Sequence, residues 1–348
     1  MAEYASNCEL VLALVSPIGV NLDDVENRLI SIFKQFRYQV NFIQLSKAAK
    51  EYSEDLPMEE GSELERLDNA MKIGTNLRLK FRRGDFYALV AVEEINKKRN
   101  EGTNPLGRYV HVIRSLKHPD EVETLRQIYG CGFFLLGISA SIESRKHYLK
   151  ELKGIPNDEL DRLIQRDDKE KLDHEFGQQT AKVFQMADAF VNTDDCERLS
   201  VQLGRIVDLL FSKPVVPPTI EEYAMFMAYA ASLRSAGLSR QVGAVITNAY
   251  SDIVSTGAND VPKFGGGLYW PGDDDNRDYI KGYDSNQREK SNIIQNVIDC
   301  LGEDIQNPIS ARKKLEASRI TDLTEFGRAV HAEMEALMCS GQVNLATI

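Results

Sequence analysis

The chain has 348 residues, 43% of them hydrophobic and 27% charged, with a net charge of −11. That is a globular composition with enough length for two domains. The acidic balance excludes a protein held to duplex DNA mainly by phosphate contacts, but leaves room for a local basic pocket that takes a small anionic nucleotide.

No run approaches the roughly 18 to 20 apolar residues of a membrane helix, so no membrane partner is expected. The start, "MAEYASNCELVLALVSPIG", has no basic residue and is broken by Pro17 and Gly19. It reads as a buried strand and turn, not a signal peptide. Five dispersed cysteines without a C-x-x-C pair point to reduced thiols in a cytoplasmic protein.

In chain order, "ELVLALVS" (9–16) is a continuous apolar run, as in a strand covered on both faces of a parallel sheet. "NLDDVENRLISIFKQF" follows with Leu22, Val25, Leu29, Ile32 and Phe36 at helical spacing and acidic residues early. "YQVNFIQL" predicts a strand, "FYALVAVEEINKKRN" a helix, "YVHVIRSL" a strand, "HPDEVETLRQIYG" a helix and "GFFLLGISA" another buried strand. Such alternation predicts an α/β domain, a parallel sheet wrapped by helices, over residues 1–211. The charged stretch from Lys146 to Lys182 reads as a solvated helical excursion. "ADAFVNTDDCERLSVQLGRIVDLLF" returns to a short strand and a closing helix.

Three prolines within "SKPVVPPT" mark residues 212–219 as a linker to a second domain, 220–348. There "IEEYAMFMAYAASLRSA" reads as a helix, and "RQVGAVITNAYSDIVSTGAND" as two strands around an Ala-Tyr-Ser-Asp turn. A Gly-rich, acidic insertion with helical sequence fills 264–325, and a final helix is expected from near Arg328 through "HAEMEALM".

His331-Ala332-Glu333 has the form of the opening half of a zinc deaminase signature, H-x-E followed by P-C-x-x-C. Hydrolytic deamination needs a hydroxide at neutral pH, which zinc supplies, and a carboxylate to move its proton. On its own the tripeptide also suits a core histidine. In context, Val242-Gly243-Ala244-Val245-Ile246, Gly257-Ala258-Asn259, Pro262 and His331-Ala332-Glu333 stand in the order seen in deoxycytidylate deaminases of the cytidine deaminase superfamily, and the C-terminal domain resembles them. Joined to the N-terminal half, the whole chain resembles the bacterial anti-phage deoxycytidine deaminases, which convert dCTP, and often dCMP, to the uracil form. The resemblance implies a Zn²⁺ cofactor with His331 as ligand, and Glu333 as proton shuttle. It also implies Asn259 holding the sugar, Gln241 and Gly243 lining the pocket, deoxycytidine nucleotides as small-molecule partners, and a homo-oligomer. Two cysteine ligands of that family are missing. "NLATI" reads as the start of the strand that precedes them, so they are expected beyond Ile348 and the deaminase-like domain is expected to be incomplete and inactive as it stands. A restraining protein or RNA would leave no signature in these residues.

At the N-terminal side, "LVSPIGVN" sits between a strand and a helix, where a phosphate loop reads G-x-x-x-x-G-K-[ST]. Gly19 is kept, but Leu14, Val20 and Asn21 replace the first Gly, the Lys and the hydroxyl residue. The half therefore resembles a degenerate P-loop nucleotide kinase, with Arg145 near its lid. A retired fold used for assembly or regulation, nucleotide sensing through Gly19, Asn21 and Arg145, and a working kinase are the three readings left, the last lacking its lysine. Trp270 either covers a nucleobase or packs, and Asp273 to Asp275 either bind a hard cation or form a solvated loop. No G-x-S-x-G or Cys/His signature supports a triad hydrolase.

Overall fold

The computed structural model describes residues 7–52, 62–101, 107–169, 176–305, 307–323 and 326–342. The strand expected at 344–348, and 170–175 of the charged stretch, lie outside the described residues. The chain divides into two compact units, residues 1–216 and 217–348.

The first unit runs β1 (Glu9–Val15), α1 (Leu22–Gln35), β2 (Gln39–Gln44), α2 (Leu45–Ala48), α3 (Glu63–Phe81), α4 (Phe86–Asn100) and β3 (Tyr109–Arg114). It continues with α5 (Pro119–Tyr129), β4 (Phe133–Ser139), α6 (Ile142–His147), α7 (Asn157–Lys169), α8 (Thr180–Gln185), β5 (Ala189–Asn192) and α9 (Cys196–Leu210). All five strands are parallel, in the order β2-β3-β1-β4-β5. Alternation along β1 sorts the core. Leu10, Leu12 and Leu14 pack with Leu29 and Phe33 of α1 and Leu199 and Leu203 of α9. Val11, Ala13 and Val15 pack with Val90 and Ile95 of α4, Leu125 of α5 and Val183 of α8. The central strand is thus buried on both faces, which is why its sequence is apolar without interruption. The crossovers after β1 and β3 leave in opposite directions, so a crevice opens at the C-terminal ends of these two neighbours.

The charged stretch corrects the sequence reading. Instead of a solvated excursion, α7 buries Leu160, Leu163 and Ile164 in a third core with Leu149, Ile155 and Met71 of α3. Asp158, Asp161 and Arg162 are exposed on its outer face, while its apolar residues fall at helical spacing on the inner one.

The second unit has α10 (Ile220–Ser232), β6 (Gly243–Thr247), β7 (Ile253–Ala258), α11 (Asp278–Lys281), α12 (Ser285–Leu301), α13 (Pro308–Glu316) and α14 (Ala332–Gln342). Strands β6 and β7 form an antiparallel pair. Asn248 sets their turn, its Oδ1 accepting from the backbone N–H groups of Tyr250 and Asp252, each at 2.9 Å. The last helix begins at Ala332, four residues later than the sequence predicts; ahead of it the Val330 N–H is bonded to the Asp260 carbonyl (3.0 Å) and Arg328 is paired with Asp278 (3.0 Å).

Candidate functional site

Residues 16–21 join β1 to α1, the place of a phosphate loop. In such a loop the backbone N–H groups stay open for an anion. Here one side chain has taken the Ile18 N–H, and two others brace the loop through its carbonyls. The Ile18 N–H donates to Asp167 Oδ2 (2.6 Å), Arg145 Nε donates to the Ile18 carbonyl (2.7 Å), and Lys117 Nζ donates to the Ser16 carbonyl (2.9 Å). Pro17 has no N–H. Asp167 and Arg145 are both buried, and Val20, in the position of the absent lysine, is buried as well. An internal carboxylate therefore stands where a phosphate oxygen would be received.

The three residues assigned to nucleotide binding are accounted for by the loop itself. Gly19 is left-handed (φ +88°), and a Cβ there would come within 3.0 Å of the Arg145 Cβ and carbonyl. Asn21 caps α1 by accepting from the Asp24 N–H (3.4 Å). Arg145 holds the loop from α6. Gly19 alone of the three lines the neighbouring cleft.

That cleft lies at the C-terminal ends of β1, β2 and β3. Two overlapping parts, of about 330 and 280 Å³, share Gly19, Val20, Gln44, Leu67, Tyr87 and Arg114. Among the described residues its outer part is lined by Lys47, Lys50, Arg66, Arg114 and Lys153 and by Glu63, with Arg66 and Lys153 paired to Glu63 and Arg114 to Asp23. In a chain of net charge −11 this is a local reversal of sign. The inner part contains a buried ion pair in which Arg78 Nε (3.0 Å) and Nη2 (2.5 Å) both reach Glu121 Oε1. Glu121 Oε2 accepts from the Lys117 and His118 N–H groups at 2.8 and 3.0 Å. Sequence reasoning missed Arg78, Tyr87, Glu121 and Asp167, which come from α3, α4, α5 and α7. The one local signal was the Ser62-x-x-Glu65 capping box that starts α3.

In the second unit, glycines set how closely helices approach the strand pair. A Cβ on Gly243 would lie 1.8 Å from the Ala228 carbonyl oxygen of α10, and one on Gly257 would lie 2.2 Å from that of Ala332 at the start of α14. Gly243 is thus a packing position. Asn259, just past β7, accepts from the Val242 N–H (2.6 Å) and donates to the Arg240 carbonyl (2.8 Å). Its amide shapes the 240–242 loop, on which Gln241 is exposed. The next residue, Asp260, is buried and paired with Arg277 (3.0 Å), and its carbonyl accepts from the Val330 N–H (3.0 Å). This bond brings His331 to the same end of the strand pair as Asn259.

His331 precedes the first residue of α14, its carbonyl accepting from the Glu335 N–H (3.0 Å), and Glu333 lies in the first turn. Both are exposed. Cys339 donates to Glu335 Oε1 (3.5 Å), and burial with the nearby Glu335 raises the thiol above its ordinary value. Zinc needs at least three protein ligands in a catalytic site. Among the described residues no cluster of three His, Cys, Asp or Glu could hold a metal. The residues present supply one ligand and do not fit zinc by themselves.

Trp270 stacks on the Arg234 guanidinium (4.0 Å to the ring centre), and its backbone N–H donates to Asp273 Oδ2 (2.8 Å). Asp273 is also paired with Lys263, and Asp275 with Arg277. These bonds pull both carboxyls below the usual range, so Asp273 and Asp275 are engaged in internal pairs.

No family model and no curated protein matches the chain. Among solved structures it is similar to the shikimate kinase of Bacteroides thetaiotaomicron at 13% identity, over 58% of this chain and 98% of that one, with a TM-score of 0.35. It is similar to the shikimate kinase of Acinetobacter baumannii in complex with shikimate at 11% identity (60% and 97%, TM-score 0.37). For a gluconokinase of Sinorhizobium meliloti 1021 the identity is 12% (59% and 98%, TM-score 0.32). Nothing of their substrates carries over at these values.

Proposed function

We propose that residues 217–348 form the scaffold of a deaminase acting on deoxycytidine nucleotides, dCTP or dCMP, with anti-phage depletion of dCTP as its use. The observation that carries this reading is the convergence at one end of the β6–β7 pair. The loop held by Asn259 and the backbone leading into α14 through Val330 lie there, and His331 and Glu333 stand at the start of that helix. Glu333 is the group to carry a proton from the attacking water to the departing amine. Zinc, when bound, supplies the hydroxide. Because the described residues give it one ligand, the thiolates that complete the site have to come from elsewhere.

The test is zinc content and uracil-nucleotide formation. The chain alone is expected to bind far less than one zinc and to turn over neither dCTP nor dCMP. A form supplied with a P-C-x-x-C segment is expected to bind one zinc and deaminate, with Glu333→Ala slowing it by about 10²–10⁴-fold. Deamination that survives Glu333→Ala ends the proposal.

A second reading is a catalytically silent nucleotide-binding regulator or scaffold. Asp167 favours it, since a closed phosphate loop beside a basic cleft suits binding without phosphoryl transfer. It predicts nucleotide-dependent stabilisation with no turnover in either form.

A further inference from the structure

The five-stranded sheet ends on two edges that are finished differently. β5, at one end, is four residues long and is flanked by Asp188, Asp194 and Asp195. Short length and adjacent charge are ordinary means of keeping an edge from pairing. β2, at the other end, is six residues long, and from Tyr38 to Leu45 the chain reads YQVNFIQL, with no charge, proline or glycine. The Gln39 N–H donates to the Arg108 carbonyl (2.9 Å), so Gln39, Asn41 and Ile43 turn their backbone groups to β3. Those of Val40 and Phe42 point outward, where no strand takes them among the described residues. Both side chains are half-buried against the core on the α1 side of the sheet. The two ends of β2 also differ in charge. At its N-terminal end Lys34 and Arg37 are exposed and in no ion pair among the described residues. At its C-terminal end lies a shallow groove of about 500 Å³ with the opposite excess. Arg114 there serves Asp23 and Glu26, and Lys97 serves Glu51, Glu93 and Glu94, leaving Lys47 as the other lining cation.

We propose that β2 is a docking edge for a second copy of this chain, the two β2 strands pairing antiparallel across a two-fold axis at Asn41. A two-fold contact needs a surface complementary to itself. Here Val40 of each copy falls opposite Phe42 of the other, on the same face of the joined sheet, and each such pair exchanges both N–H···O bonds. No like charge meets across the ladder. Antiparallel pairing also sets the Lys34 and Arg37 end of one copy beside the carboxylate-rich end of the other. A parallel pairing would oppose like ends, and an acidic or basic extended peptide would match only one end of the edge. The contact is small beside that of permanent dimers, so the dimer is expected to exchange with monomer. It rests on the first unit alone and stands whether or not the second unit deaminates.

The experiment is sedimentation equilibrium of the full chain from about 1 to 200 μM, read together with hydrogen exchange at the Val40 and Phe42 amides. Dimers that form with rising concentration are expected, both amides gaining protection as they form. Val40→Pro removes an outward donor and none of those facing β3, and is expected to raise the dissociation constant by about tenfold or more. Lys34→Glu is expected to raise it by about threefold and to reduce its dependence on salt. Phe226→Glu, at an exposed apolar position of α10, is expected to leave the dimer unchanged. A monomer throughout the range overturns the proposal, as does a dimer whose dissociation constant Val40→Pro leaves unaltered. Loss of the dimer in Phe226→Glu moves the contact to the second unit and overturns it too. Protection of both amides in the monomer means that a segment of the same chain covers the edge, with the same consequence. Should Val40→Pro fail to fold, the exchange measurement and Lys34→Glu still decide.

Discussion

Single side chains in this protein carry long-range information that their neighbours in sequence do not show. Asp167 reaches Ile18 across 149 positions, and nothing in "RDDKEKL" distinguishes it from the carboxylates on either side. His111 is similar. It lies in β3, fully buried, with Nδ1 accepting from the Asn41 amide (3.1 Å), which leaves Nε2–H to donate to Glu9 (2.8 Å). Burial lowers its pKa, outweighing Glu9, which raises it, while Arg99 and Lys98 add to the lowering. A histidine whose folded pKa lies below the unfolded value is fully accommodated above about pH 6.5. As pH falls below that point the unfolded chain takes the proton first, and stability declines until the folded pKa is reached. We therefore expect the first unit to lose stability as pH falls below about 6.5, with a contribution of at most about 1.4 kcal/mol per pH unit from this residue. His111→Gln, which keeps a donor near Glu9, is expected to flatten the slope in urea titrations at several pH values. An unchanged slope would show that the proton goes elsewhere.

Elements were legible where packing is symmetrical or periodic, and obscure where distant partners decide. β1 announced itself because both of its faces are covered, and α1 because one stripe is. The stretch holding α3 offered only a capping box, and its function in the fold, to carry Gly74 and Arg78 into the cleft, depends on α4 and α5. In α7 the charges outnumber the three leucine and isoleucine positions that matter. The second unit shows the same division for its glycines: Gly243 and Gly257 were visible as part of a motif, whereas their role in admitting α10 and α14 was not. The same substitution should consequently have opposite signs at two sites. Gly257→Ala drives a methyl into the backbone of α14, 2.2 Å from the Ala332 carbonyl and 2.3 Å from the Ala336 N–H nitrogen. It should cost about 2–3 kcal/mol and displace the helix turn bearing Glu333. Gly204 lies inside α9 with nothing within 4 Å of its added Cβ. Gly204→Ala should stabilise by about 0.5–1 kcal/mol, through helix propensity alone. Denaturant midpoints of the two variants check the pair, and destabilisation of equal size at both positions would refute this account of α14.

At the scale of the whole molecule the two units differ in how completely their cores are closed. Every one of the largest fully buried side chains belongs to residues 1–216, from Leu14 and Phe33 to Leu149. Among the described residues of 217–348 half of the buried apolar residues are alanines, Ala228, Ala258, Ala332 and Ala336, while Phe226 is 63% and Leu337 57% exposed. A two-stranded sheet is marginal by itself, since both strands are edges. Here it is held by two helices whose outer apolar faces meet water. By contrast β1 has a parallel partner on each side and a helical layer on each face. Opening free energies should follow this difference. Native-state hydrogen exchange is expected to find the β1, β3 and β4 amides protected to the level of global unfolding, and those of α10, β6 and α14 exchanging through a cheaper opening. Supplying the thiolates and zinc should then slow exchange in α14 selectively, because a ligand bound only by the folded state stabilises what holds it. If α14 without metal is already as protected as β1, the second unit is complete as it stands, and the scaffold drawn here around His331 and Glu333 is not one that waits for a metal.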